Sequence, residues 1–337
     1  MPRADVPETY FYHSFPRKFF GKTEEITKGL AILESVIESG LLLTPETWEA
    51  REQLAEGGLS LPLHVEQKRI CFTELSPNYL KEHSSVFGHF ALEFGIIELR
   101  QLGAIPVFYI PSDERSEYLE GVGTALLNRL GDIQVFFENL EKFEEYLTNI
   151  SQSNKSNKLK LSPRGRPPIK QLECTVGAAE ELIGGFKRPG ISYGLYIGAV
   201  QFLGGFFYKT ENFKYNDLLD YYRQREWRIT ANMEKDGIKV DRPLKDTEKT
   251  RLLEIDESFF GKEREFRTGV YRIVDQCKLF SEFKDRHVLD FANRIIVPKR
   301  ALKDARSLIA NAGLNIEVIS INRLDNILTR ALSVFQE

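Results

Sequence analysis

Short β-prone runs recur along this chain with helix-spaced segments between them, and that rhythm restricts the fold more than any other feature. Thr9 to Phe15 is an aromatic strand run, followed by Leu30, Leu33, Val36 and Ile37 at helical spacing, with Gly40 as the stop. Pro45 and the charged stretch after it then separate this unit from the strand Arg69-Ile70-Cys71-Phe72-Thr73. A short helix is expected from Ser76-Pro77, since proline suits a first helical turn. Strands follow at Phe90–Phe94 and over Ile105–Ile110, then a long helix over 115–149. A strand over Tyr222–Thr230 and a closing strand–helix–strand unit from Arg294 to Ile319, with a stop at Asn311-Ala312-Gly313, complete the pattern.

The expected class is therefore α+β, with mixed, mainly antiparallel sheets and flanking helices. Residues 1–110 and 200–337 are read as a discontinuous core, and 111–199 as a helical and loop insertion. The insertion holds a basic segment, 151–170, with Lys155, Lys158, Lys160, Arg164, Arg166 and Lys170. That segment fits a solvated linker, or a surface for a protein or nucleic-acid target. The glycines from 184 to 205 follow no phosphate-loop spacing and are read as turns and close packing.

Composition closes off several function classes. The 24 Phe and 13 Tyr among 337 residues are enough for a large core, in one large domain or two intimate ones. A formal net charge of −3 excludes a whole-surface pull toward nucleic acid. Cys71, Cys174 and Cys277 are too far apart for a zinc knuckle and suit a reducing compartment. Met1 to Asp5 carries no leader-like apolar stretch, and Gly190–Phe207, interrupted by Ser192, Gln201 and glycines, reads as core rather than a membrane span. A cytoplasmic protein with no membrane partner is expected. His83 and His89 stand six apart with no third ligand nearby, so no metal site is expected.

Two stretches carry a family resemblance. The first is Ile70-Cys71-Phe72-Thr73-Glu74-Leu75, then Leu80-Lys81-Glu82-His83, Phe87-Gly88-His89-Phe90 and Pro106-Val107-Phe108-Tyr109-Ile110. The second is Tyr221-Tyr222-Arg223-Gln224-Arg225-Glu226-Trp227-Arg228. Their order resembles the AbiGi family of abortive-infection (phage-resistance) proteins. Tyr12-His13-Ser14-Phe15 and Gly40-Leu41 resemble that family's opening strand and helix end. The chain departs from the family at Gln224, where an acidic residue is frequent, and residues 111–200 lie outside the resemblance. The resemblance implies anti-phage defence and a companion toxin or defence protein as partner, with this chain in an antitoxin-like part.

The same landmarks resemble an ADP-ribosyltransferase arrangement: His13 on an early strand, Thr73 on a second and Glu226 on a late one. In such enzymes a fixed carboxylate stabilises the oxocarbenium charge that develops as the nicotinamide–ribose bond of NAD breaks. Gln224 and Glu226 stand two apart and share a strand face, so both are candidate catalytic residues. His13, Thr73 and Arg228 are the candidate NAD-binding residues, while Arg223 and Arg225 are expected to face away from Glu226. Each also has a plainer reading. His13 fits a hydrogen-bonded core histidine, Thr73 an ordinary strand residue, and Glu226 one arm of a cross-strand ion-pair network.

Overall fold

The structure is a computed structural model. It describes residues 9–16, 22–50, 63–110, 117–151, 155–161, 172–209, 225–231, 234–235, 238–266 and 269–323.

The first third of the chain forms β1 (Tyr10–Phe15), α1 (Lys22–Ser39), β2 (Leu41–Ala50) and β3 (Leu63–Leu75). It continues through α2 (Leu80–Phe87), β4 (Phe90–Phe94), α3 (Ile96–Gln101), β5 (Ile105–Pro106) and β6 (Phe108–Ile110). A 3₁₀ turn over Pro77–Tyr79, with Pro77 at its first position, leads into α2. The stop at Gly40 has φ +95°, a left-handed value that suits glycine.

Two expectations are corrected here. The separator expected at Pro45 is part of β2: Leu41 and Leu43 alternate into the core, and that alternation outweighs the donor that proline lacks. The single strand expected over 105–110 breaks at Val107. On one side β5 pairs with β10 (Glu226–Thr230), and on the other β6 pairs with β9 (Phe207–Lys209).

By chain contacts the protein divides into two compact units, one of residues 1–47, 66–109 and 206–337, the other of 48–65 and 110–205. The second unit holds α4 (Glu117–Ser151), the hairpin β7 (Lys158–Leu161) and β8 (Leu172–Thr175), α5 (Val176–Gly184) and α6 (Tyr193–Gly204). Its core gathers Leu147, Val176, Ala179, Ile183 and Tyr193. The glycine-rich stretch is thus mostly helical. On α6, Tyr193, Ile197, Val200 and Gly204 recur on one buried face, so a sequence apolar throughout is buried on one side only. Lys155 and Lys160 of the basic segment pair with Glu180 and Glu173, whereas Arg164, Arg166 and Lys170 lie outside the described residues. Among the described residues no helix is long and apolar enough to cross a membrane.

After β9 and β10 the first unit adds β11 (Glu234–Lys235), β12 (Ile238–Lys239), β13 (Arg242–Pro243) and α7 (Asp246–Phe260). Next come β14 (Glu263–Phe266), β15 (Gly269–Arg272), α8 (Ile273–Gln276) and β16 (Lys278–Phe280). The chain closes through β17 (Glu282–Phe283), β18 (Arg286–His287), β19 (Ala292–Val297), α9 (Leu302–Asn311) and β20 (Glu317–Ser320). The main sheet runs β13-β16-β2-β3-β1-β4-β19-β20, with β10 on β3 and β5 on β10. It is mainly antiparallel; β19 and β20, linked through α9, run parallel. One face of this sheet is apolar. Phe11, Phe72, Leu92, Phe94, Ile295 and Val297 form a core there with Leu33, Val36 and Ile37 of α1 and Ala305 and Ile309 of α9. That packing leaves Ser14 of β1, Arg69 and Thr73 of β3, and Glu226, Arg228 and Thr230 of β10 on the opposite face.

Candidate active site

Thr73 is the hinge of the arrangement. It faces Tyr12 across the β1–β3 ladder and Glu226 across the β3–β10 ladder, so the three stand on one rung. Opposed residues of an antiparallel pair share a face, and residues two apart along a strand share it too. Ser14, Cys71, Arg69, Arg228 and Thr230 therefore lie with Thr73 and Glu226. Phe11, His13, Phe72 and Trp227 lie on the apolar side.

Contacts agree with that parity. The Trp227 ring packs edge-on against Phe11 at 5.2 Å, and its Nε1 donates to Glu74. Arg225 also donates to Glu74, 3.1 Å away, and so faces away from Glu226. The His13 ring lies 5.8 Å from Phe72 and 6.1 Å from Phe15, and its Nδ1 sits 2.9 Å from the Cys71 carbonyl oxygen. The described β1–β3 rungs run from Tyr10 to Tyr12. One residue further, the His13 side chain takes a carbonyl that a longer ladder would have used. Of the three strand residues expected to meet, the structure brings Thr73 and Glu226 together and turns His13 to the other face.

Glu226 accepts a 2.7 Å hydrogen bond from Nε of Arg228; its side chain is 19% exposed and that of Arg228 is 0% exposed. Burial pushes the Glu226 carboxyl up, but the charge and hydrogen bond of Arg228, with help from Cys71 and Arg69, hold it below the usual carboxylate range. Burial likewise opposes the charge on Arg228, and Glu226 together with Cys71 and Glu46 more than offsets it, so the guanidinium titrates above its ordinary value. At neutral pH the site therefore presents an ionised carboxylate with some access to solvent. Such a group stabilises developing positive charge and is poorly suited to donate a proton. Arg228, read from sequence as a cofactor ligand, is buried and orients Glu226. Gln224 and Arg223 lie outside the described residues.

Sequence reasoning missed His83 as a member of this face. Its Nε2 lies 3.2 Å from Thr73 Oγ1 and its Nδ1 3.4 Å from Ser14 Oγ, so one imidazole bridges β1 and β3. Its ring stacks on Phe87 at 4.4 Å. A signal existed: His83 stands three residues after the apolar Leu80, on the same side of a helix that buries Leu80. A second network on the same sheet face is centred on a fully buried carboxylate. Tyr12 donates to Glu93, which also pairs with Arg294 at 2.7 Å, and Glu93 is 0% exposed. Among the described residues no three His, Cys, Asp or Glu side chains converge as a metal would need.

Compared with known proteins, the chain matches no family model, no curated protein and no solved structure.

Proposed function

We propose that this chain is an anti-phage defence protein of AbiGi-like type, whose β3–β10 face carries NAD-dependent ADP-ribosyltransferase chemistry. The observation that carries the reading is the pairing of Thr73 with an ionised, partly exposed Glu226 that a buried arginine holds in place. In the reaction the bond between nicotinamide and the ribose C1′ breaks, and nicotinamide leaves with the bonding pair. A nucleophile on the target then closes on C1′ and gives up its proton to water. Glu226 stabilises the intervening positive charge, and the Thr73 hydroxyl, oriented by His83, is placed to hold a ribose hydroxyl. Arg228 keeps the carboxylate charged and fixed.

Nicotinamide release from NAD tests this. Glu226→Gln keeps the shape and removes the charge, and the rate is expected to fall by roughly a hundredfold or more. Thr73→Val, which changes no charge, is expected to weaken turnover less. A wild-type protein that releases nicotinamide at the same rate as Glu226→Gln overturns the proposal.

One observation favours a second reading, in which the chain regulates a companion toxin or defence protein through its surface. Leu126, Phe136, Tyr146, Leu182, Leu195 and Leu203 of the 110–205 unit are large apolar side chains left exposed. Docking of a partner on this unit would take these side chains out of water, and that burial favours association. On that reading, Glu226→Gln neutralises the companion as well as wild type does, whereas Leu195→Asp with Leu203→Asp does not.

A further inference from the structure

We infer that the far end of the β3–β10 face is a base-reading subsite, in which Gln67 and Thr230, with Arg69 beside them, take the adenine edge of the dinucleotide. This inference rests on the NAD reading above and adds to it which part of the molecule lies where. Thr230 faces Arg69 across the ladder, and Gln67 is two residues before Arg69 on the same face of β3. All three are deeply buried, at 7% exposure for Gln67, 5% for Arg69 and 3% for Thr230. Among the described residues, both amide atoms of Gln67, the Thr230 hydroxyl and Nε of Arg69 have no hydrogen-bond partner, although Arg69 also pairs with Glu46 through its NH2 group. Buried polar atoms are rarely left so, and four on adjoining rungs mark a place built for something polar.

The pattern of these atoms selects the ligand. A glutamine amide offers one donor and one acceptor side by side. An adenine edge answers with a ring-nitrogen acceptor beside the N6 amino donor, the pairing by which Gln reads adenine elsewhere. The position fits as well. From Glu226 to Thr230 the strand advances four residues, roughly 13 Å, a span suited to an extended dinucleotide whose reactive ribose lies at Glu226. Arg228 stands between the two ends.

Calorimetric titration of the full chain with NAD and with 1,N6-etheno-NAD, which has lost the N6 donor and has a blocked N1, tests the assignment. Wild type is expected to bind NAD roughly tenfold or more tightly than the etheno form. In Gln67→Leu that preference is expected to collapse through weaker NAD binding, and Thr230→Val is expected to reduce it. Equal binding of both ligands by wild type, as when these atoms hold only ordered water, overturns the subsite and leaves the NAD reading standing. A preference that survives intact in Gln67→Leu reflects the bulk of the etheno ring and also overturns it. Binding of neither ligand removes the NAD reading and the subsite together. The two failures are therefore distinct, and the wild-type comparison needs no variant to fold.

Discussion

Glu226 and His13 both sit on strands that the residue pattern locates, yet they end on opposite faces. The reason is parity. A strand's two faces alternate residue by residue, and which face is buried depends on its neighbours and their register. Glu226 was legible because Trp227 and Ile229 mark the apolar side of its strand, leaving 226 and 228 on the other. In Thr9–Phe15 the residues on either side are aromatic, so nothing local says that Tyr12 joins the polar face and His13 the apolar one. At this scale the Glu226–Arg228 pair makes a pH prediction. The folded carboxyl titrates below its ordinary value, so the fold gains stability from it above the unfolded pKa and loses that gain as pH falls through the folded one. Glu226→Gln leaves Arg228 buried beside a neutral amide that can still accept its hydrogen bond. The variant is expected to be about 2 kcal/mol less stable at pH 7, and the deficit is expected to narrow as pH falls through the ordinary carboxylate range toward the lower folded value. Urea midpoints at pH 7 and pH 4 measure it, and a deficit equal at both shows that the pair's charge contributes nothing.

Elements with a clear period were the easiest to read. The helix ending at Gly40 and the closing strand–helix–strand unit have enough residues on each turn or alternation to declare themselves, and the strand over 90–94, buried at every position, shows as a short run after Gly88. What periodicity does not reveal is how near two elements come. Gly29, on the buried side of α1, is such a case: a Cβ there would lie 2.1 Å from Cε2 of Phe90 on β4, a ring that is 0% exposed. Helix propensity alone predicts that Gly29→Ala stabilises by about 1 kcal/mol. The packing predicts the opposite sign, a net loss of about 1–2 kcal/mol, because the methyl must displace a buried aromatic. Pairing Gly29→Ala with Phe90→Leu is expected to recover part of that loss. Denaturant unfolding of the two variants decides between propensity and packing. If Gly29→Ala is the more stable protein, the helix and strand do not approach as closely as described.

For the molecule as a whole, residues 231–291 explain much of what was illegible. There the chain makes two-residue strands such as β13, β17 and β18, too short to show any period, and β13 gains its place in the sheet only by pairing with β16 over thirty residues later. The 110–205 unit was legible as helical in part, but its glycines hid α5 and α6. Its core centres on Tyr193, whose hydroxyl donates to the Ile183 carbonyl while its ring packs beside Phe137 and under the Lys187 ammonium. Each unit has its own apolar core, and separate cores are expected to open separately. Tyr193→Ala removes a buried aromatic and a hydrogen bond from one of them, at a cost of about 3–5 kcal/mol. Hydrogen exchange followed by mass spectrometry is expected to quicken across α4, α5 and α6 in this variant and to stay unchanged across β1, β4 and β19. Faster exchange in those three strands would mean that the Tyr193 core and the central sheet open as one cooperative body, and the apolar surface of α6 would then have to be judged as part of a single folding unit.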